Sequence, residues 1–172
     1  MLLSQKNLLT YLIAFVCCSF KVSAQQAPAY PRIVGYFSFT DPIGTWTKDG
    51  FKSNFDRSVY TIAFPFGMNI IKSDHFGVSF EISPSIRTEK HIAKVNTVVF
   101  HPGAMFRFKH GFTFISRVAF ETNGRFGVTP VFNQVVVRGK NANFFASVPV
   151  PVRFGNDQPT SIGTGLQLGV SF

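Results

Sequence analysis

Six charged side chains fall inside stretches that alternate apolar residues with small or polar ones: Glu81, Arg87, Arg107, Arg117, Glu121 and Arg153. His101 and Gln167 share their parity. At a spacing of two, such residues stand on the same face of a strand as the intervening Gly, Ser and Thr. The chemistry open to them is ion pairing, with Glu81 and Glu121 each taking one of the arginines, because a buried unpaired carboxylate is costly. The plainer alternative is that these charges sit at strand ends in water. Catalytic and metal-binding patterns are missing. There is no Gly-x-Ser-x-Gly elbow and no His-Glu-x-x-His, and the four histidines, His75, His91, His101 and His110, are dispersed. A non-enzymatic chain with no cofactor and no metal is the expectation.

The elements that must position these charges are strands. Period-two alternation marks residues 32–40, 58–71, 76–87, 95–108, 112–121, 126–137, 144–154 and 161–172. Residues 76–87 show it most plainly, with Phe76, Val78, Phe80, Ile82, Pro84 and Ile86 set against Gly77, Ser79, Glu81, Ser83, Ser85 and Arg87. Between the segments lie turn residues, of which Asn123-Gly124 is a strong hairpin signal. No sustained helical periodicity follows residue 24. Residues 41–57 read as the one long loop, with Trp46, Lys48, Lys52 and Arg57 suited to a lipid interface rich in anionic phosphates.

Proline is the awkward feature. Pro65, Pro84, Pro102, Pro130, Pro149 and Pro151 fall inside expected strands, although proline cannot donate to a ladder. They are expected to form a ring of bulges around one half of the wall.

The chain has 172 residues, one domain's worth, and a formal charge of +9 from 17 Lys and Arg against 8 Asp and Glu. Residues 1–24 read as a cleaved secretory leader: Lys6, an apolar core, then Val22-Ser23-Ala24. Lys6 and Lys21 would leave with it, so the mature chain keeps 15 bases against 8 acids, a net +7. Cys17 and Cys18 would leave too. Residues 25–31 form a short tether and 32–172 the domain. The bases are scattered rather than gathered into an aromatic-interleaved patch, which excludes nucleic acid as the expected partner.

The last twelve residues, Ser161-Ile-Gly-Thr-Gly-Leu-Gln-Leu-Gly-Val-Ser-Phe172, place Ile162, Leu166, Leu168, Val170 and Phe172 on one face and glycines on the other. This resembles the closing strand of small OmpA/OmpX-like outer-membrane β-barrel proteins, and the resemblance extends over residues 33–172. It implies an all-β, eight-stranded antiparallel up-and-down transmembrane β-barrel in the outer membrane of a Gram-negative bacterium. It also implies that Leu168, Val170 and Phe172 form the signal read by the assembly machinery. The partners implied are outer-membrane lipids, lipopolysaccharide and that machinery. Gly163, Gly165 and Gly169 are expected to leave room for Arg and Glu side chains of neighbouring strands. No counterpart of the peptidoglycan-binding half of OmpA-type proteins is expected.

A structural or interaction barrel is therefore the leading expectation. A narrow pore for small solutes and a soluble, lipocalin-like ligand-binding barrel are the alternatives. In the last, the polarity of the two faces would be reversed.

Overall fold

Alternation along the chain becomes alternation of burial. In the computed structural model, which describes residues 29–55 and 59–172, Phe80 and Ile82 are exposed while Ser79, Glu81 and Ser83 between and beside them are buried. The expected leader, residues 25–28 of the expected tether and Arg57 lie outside the described residues.

The strands, in chain order, are β1 (Arg32–Thr47), β2 (Gly50–Ser53), β3 (Val59–Ala63), β4 (Phe66–Ile71), β5 (Phe76–Glu89) and β6 (Ile92–Arg107). They continue as β7 (Phe112–Glu121), β8 (Phe126–Arg138), β9 (Asn143–Pro149), β10 (Val152–Phe154) and β11 (Ser161–Ser171). One 3-10 turn, Lys109–Gly111, joins β6 to β7, and the described residues hold no α-helix. All pairings are antiparallel and belong to one sheet. β11 bonds β9 and β10 on one side and β1 on the other, the latter over ten residue pairs from Tyr36↔Ser171 to Trp46↔Ile162. Gly35 and Phe172 extend that seam by exchanging both backbone hydrogen bonds, each 2.9 Å.

The described residues hold eleven strands where eight were expected, and proline accounts for two of the three extra. The segment expected at 58–71 is broken at Phe64-Pro65 into β3 and β4, and the one expected at 144–154 is broken at Val150-Pro151 into β9 and β10. Both breaks have the same wiring. Phe64 N–H donates to Pro84 O and Ser38 N–H to Pro65 O; Val150 N–H donates to Pro130 O and Gly163 N–H to Pro151 O. In an antiparallel ladder such a pair normally exchanges two bonds. Each of these four prolines accepts one and cannot return the other. The expected ring of bulges is not what forms. Pro84, Pro102 and Pro130 stay inside continuous strands, and the register shifts fall at Pro42/Gly44, Ser85/Ile86 and Val135/Val137.

The third extra strand comes from the expected loop. Its described residues, 41–55, are largely a hairpin, because β1 runs on to Thr47 and pairs with β2 from Gly44↔Ser53 to Thr47↔Gly50. Trp46 and Phe51 face each other across it at 4.7 Å between ring centroids, a contact that favours paired strands. The gap left between the expected strands 76–87 and 95–108 shrinks to Lys90-His91, both at positive φ, between the paired Glu89 and Ile92.

The polarity of the sheet is inverted relative to a soluble protein. Phe37, Phe66, Phe80, Phe100, Val118, Phe120, Phe132 and Leu166 are exposed, whereas Ser38, Ser79, Glu81, His101, Arg117, Thr129, Arg153 and Gln167 are buried. On the exposed face Phe76, Phe106, Phe114 and Phe132 form a ladder across four neighbouring strands, with centroids 5.8, 6.4 and 5.5 Å apart. Among the buried apolar side chains, Met105, Ile115 and Val131 form one small cluster.

Candidate functional site

Register brings the buried charges together. Glu81 on β5 stands directly opposite His101 on β6, and Thr129 on β8 opposite Arg117 on β7. Each of these residues occupies the buried parity of its strand, so the side chains converge rather than point to lipid or water.

Glu81 uses both carboxylate oxygens. Its Oε2 accepts from Tyr36 Oη at 2.9 Å and pairs with Arg117 Nη1 at 2.9 Å; its Oε1 meets His101 Nδ1 at 2.9 Å. Arg117 also donates from Nη2 to Tyr36 Oη at 3.0 Å, and from Nε and Nη2 to Ser79 Oγ at 3.3 and 3.1 Å. On the far side of His101, Arg153 Nη2 lies 3.1 Å from the imidazole Nε2. A guanidinium can only donate, so Nε2 accepts and Nδ1 carries the proton it gives to Glu81. The imidazole in this arrangement is the neutral tautomer. Arg153 completes the chain with Nε to Glu121 Oε1 at 2.5 Å and Nη1 to Thr129 Oγ1 at 2.9 Å. Two carboxylates and two guanidiniums make the assembly electrically neutral, which is what a buried ionic cluster requires if no charge is to be left uncompensated.

Glycine makes the space. Gly67 lies between Tyr36 and Glu81 in the register, and a Cβ there would come within 2.8 Å of Tyr36 Oη, at the hydrogen bond to Glu81. Gly103 stands opposite Arg117, whose Cγ would lie 2.7 Å from an added Cβ. The closing-strand glycines serve other neighbours, contrary to expectation. An added Cβ would meet Pro151 at Gly163, the backbone of Asp41 and Pro42 at Gly165, and Ser38 and Phe145 at Gly169.

Of the six charged residues singled out in the sequence, Glu81, Arg117, Glu121 and Arg153 are joined in this network. Arg87 and Arg107 are not. Arg87 pairs with Glu89 at 3.4 Å, with both side chains about half exposed (46% and 49%), near the hairpin end of β5. Arg107 donates to the carbonyls of Ser73 and Asp74 in the turn after β4, at 3.2 and 3.4 Å. Both lie near strand ends, where the side chain reaches the rim. Lys48 and Lys52 are exposed on the β1–β2 hairpin beside Trp46. Leu168 and Val170 are half-buried in β11, and Phe172 is exposed at its end. Tyr36, Ser79 and Thr129 were missed as network members. Their parity was readable, since Tyr36 alternates against Phe37 and Phe39, but their partners depend on which strands are neighbours and in what register.

Two cavities flank the network. One of about 410 Å³ opens at the end of the sheet that carries Arg32, Phe108, His110 and Arg138. The other, about 140 Å³, lies on the opposite side among Ser83, Ser85, Pro149 and Pro151. Arg117, Val131 and Gln167 line both, so the Arg117 layer is what divides them. Among the described residues, no group of three or more His, Cys, Asp or Glu is placed to hold a metal ion.

An all-β antiparallel sheet with a polar buried face and an apolar exposed one is the arrangement of transmembrane β-barrels, and a solved structure of that class shares the fold. A protein from a study of de novo designed transmembrane β-barrels superposes with a TM-score of 0.50 at 8% identity, over 86% of this chain and 98% of its own. A solution structure of the designed TMB2.3 gives 0.41 at 12% identity, over 86% and 96%. No protein-family model matches the sequence, and no curated protein matches it.

Proposed function

We propose that the chain is an integral outer-membrane protein of a Gram-negative bacterium, built as an eight-stranded up-and-down barrel with a plugged lumen. Its role on this reading is structural or one of partner binding, without catalysis. The observation that carries it is the inverted polarity: phenylalanines, valines and leucines cover the exposed face while the charges are buried. Eight walls follow from counting β3 with β4, and β9 with β10, as single walls bent at Pro65 and Pro151, with β2 as an outlying hairpin arm. The β1–β11 seam supports closure, since lipid does not tolerate open sheet edges. A soluble lipocalin-like barrel would bury the apolar face instead.

On this topology the short turns after β4, β6 and β8 face the periplasm and the β1–β2 hairpin faces outward. Lipid and lipopolysaccharide surround the wall, with Trp46, Lys48 and Lys52 near the outer phosphates. The assembly machinery would read Leu168, Val170 and Phe172. Cell fractionation tests the proposal: the protein should be found in outer membranes and need detergent for release. Recovery in the soluble periplasmic or secreted pool without detergent would end it.

A narrow pore is the second reading, favoured by one feature: a single layer around Arg117 separates the two cavities. Planar-bilayer recordings decide between them. The plugged barrel should pass no steady current, whereas the Arg117→Ala variant should.

A further inference from the structure

The buried face is mostly polar, with its apolar side chains concentrated at one end. Met105, Ile115, Val131 and Phe145, four of the few buried apolar side chains, all line the 410 Å³ cavity. Its volume falls within the range of ordinary small-molecule sites. Apolar residues gathered around a space they do not fill form a pocket.

The mouth has the opposite character. Arg32 and Arg138 are exposed there and Arg107 is half-buried beside them, and no Asp or Glu is among the cavity's lining residues. Both carboxylates of the polar network are committed on its far side, Glu81 to Arg117 and Glu121 to Arg153. Arg107 is held by the carbonyls of Ser73 and Asp74, so Arg32 and Arg138 are the two rim guanidiniums with no carboxylate partner among the described residues; they make the mouth attractive to anions and suited to planar carboxylate recognition.

From this juxtaposition we propose that the cavity is a binding site for a small amphipathic carboxylate, which enters from the end carrying Arg32 and Arg138. Its apolar body rests on Met105, Ile115, Val131 and Phe145, and its carboxylate stays at the arginine rim. The site goes beyond a purely structural role, and it depends on the sheet's buried face rather than on which membrane holds it.

The test uses the mature chain folded in dodecylmaltoside micelles, titrated with 4-fluorophenylacetate and followed by fluorine NMR, with circular dichroism to verify the β-fold of every sample. A saturable shift is expected for this acid and none for 4-fluorobenzylamine, which has a similar body and the opposite charge. Arg32→Gln with Arg138→Gln, both at exposed positions, should weaken the acid about ten-fold or more, as loss of charge-assisted bonds requires. Val34→Trp, which occupies the cavity from a half-buried lining position and leaves the arginines intact, should abolish binding. Absence of saturation by the folded wild type, equal binding of the amine, or unchanged affinity in either variant would each overturn the proposal.

Discussion

Glu81 is held by three neighbours on three different strands, and that sets what its loss would do. Tyr36 comes from β1, His101 from β6 and Arg117 from β7. Replacing it with Gln keeps the shape but leaves Arg117 without its counter-charge in a buried site, and breaking such a pair costs about 3–5 kcal/mol. Arg117→Met leaves Glu81 in the same position and should cost a similar amount. The double variant should cost clearly less than the sum of the two, because each single change orphans the group that the other removes. Urea titrations in lipid vesicles, read on Trp46, the one tryptophan, supply all three values. Strict additivity would show that the two side chains do not act as a pair. Gly67→Val belongs to the same experiment, since its side chain would intrude on the Tyr36–Glu81 bond from the neighbouring strand.

The strands themselves carry a defect that a single substitution can repair. Pro65 and Pro151 each accept a bond, from Ser38 and Gly163, that an ordinary residue would return. Pro65→Ala and Pro151→Ala should therefore join β3 to β4 and β9 to β10. Each restored bond should add about 0.5–1.5 kcal/mol of stability. Hydrogen exchange at the two new amides checks this: slow exchange is expected, and exchange at the rate of an open loop would show that the break has another cause. Much at this scale was legible beforehand. The parity that exposes Phe80 and buries Glu81 is written in the alternation, and the strand limits 112–121 are those observed. What escaped depends on pairing. Lys90-His91 lacks the glycine that usually announces a two-residue turn, and Trp46 joins a strand because Phe51 returns alongside it. Arg87 and Arg107 share the parity of Arg117, but their distance from the middle of the wall takes them out of the network.

For the whole molecule, the outer surface is the property that matters. An exposed Val118 is of little consequence in water, yet in a bilayer the same position faces hydrocarbon. Val118→Lys should make folding into vesicles less favourable by about 2–4 kcal/mol, the cost of a basic residue at mid-membrane. Asn123→Lys, in the turn between β7 and β8, should leave it unchanged. Equal effects at both positions would contradict a membrane-embedded wall. The Phe76–Phe106–Phe114–Phe132 ladder lies on this same surface, so its rings would contact lipid as well as one another. On the proposed topology it would stand where tryptophan and tyrosine usually form the interfacial aromatic belt.

The seam between β1 and β11 has a further consequence. Because Gly35 and Phe172 are bonded to each other, β1 and β11 are neighbours, and on the proposed closed barrel the wall would have no privileged starting point. A circular permutant that links residue 172 to residue 29 through a short glycine-serine connector and opens between Lys90 and His91 keeps every ladder except that one turn. Refolded in vitro, it should give the same sheet, with the Ser38–Gln167 hydrogen bond intact across a joint that is now continuous chain. In cells it would end on Lys90 instead of an aromatic. Normal delivery to the membrane would show that the terminal phenylalanine is dispensable as an address. Loss of delivery with folding preserved would separate the message carried by the last residues from the mechanical joint they make.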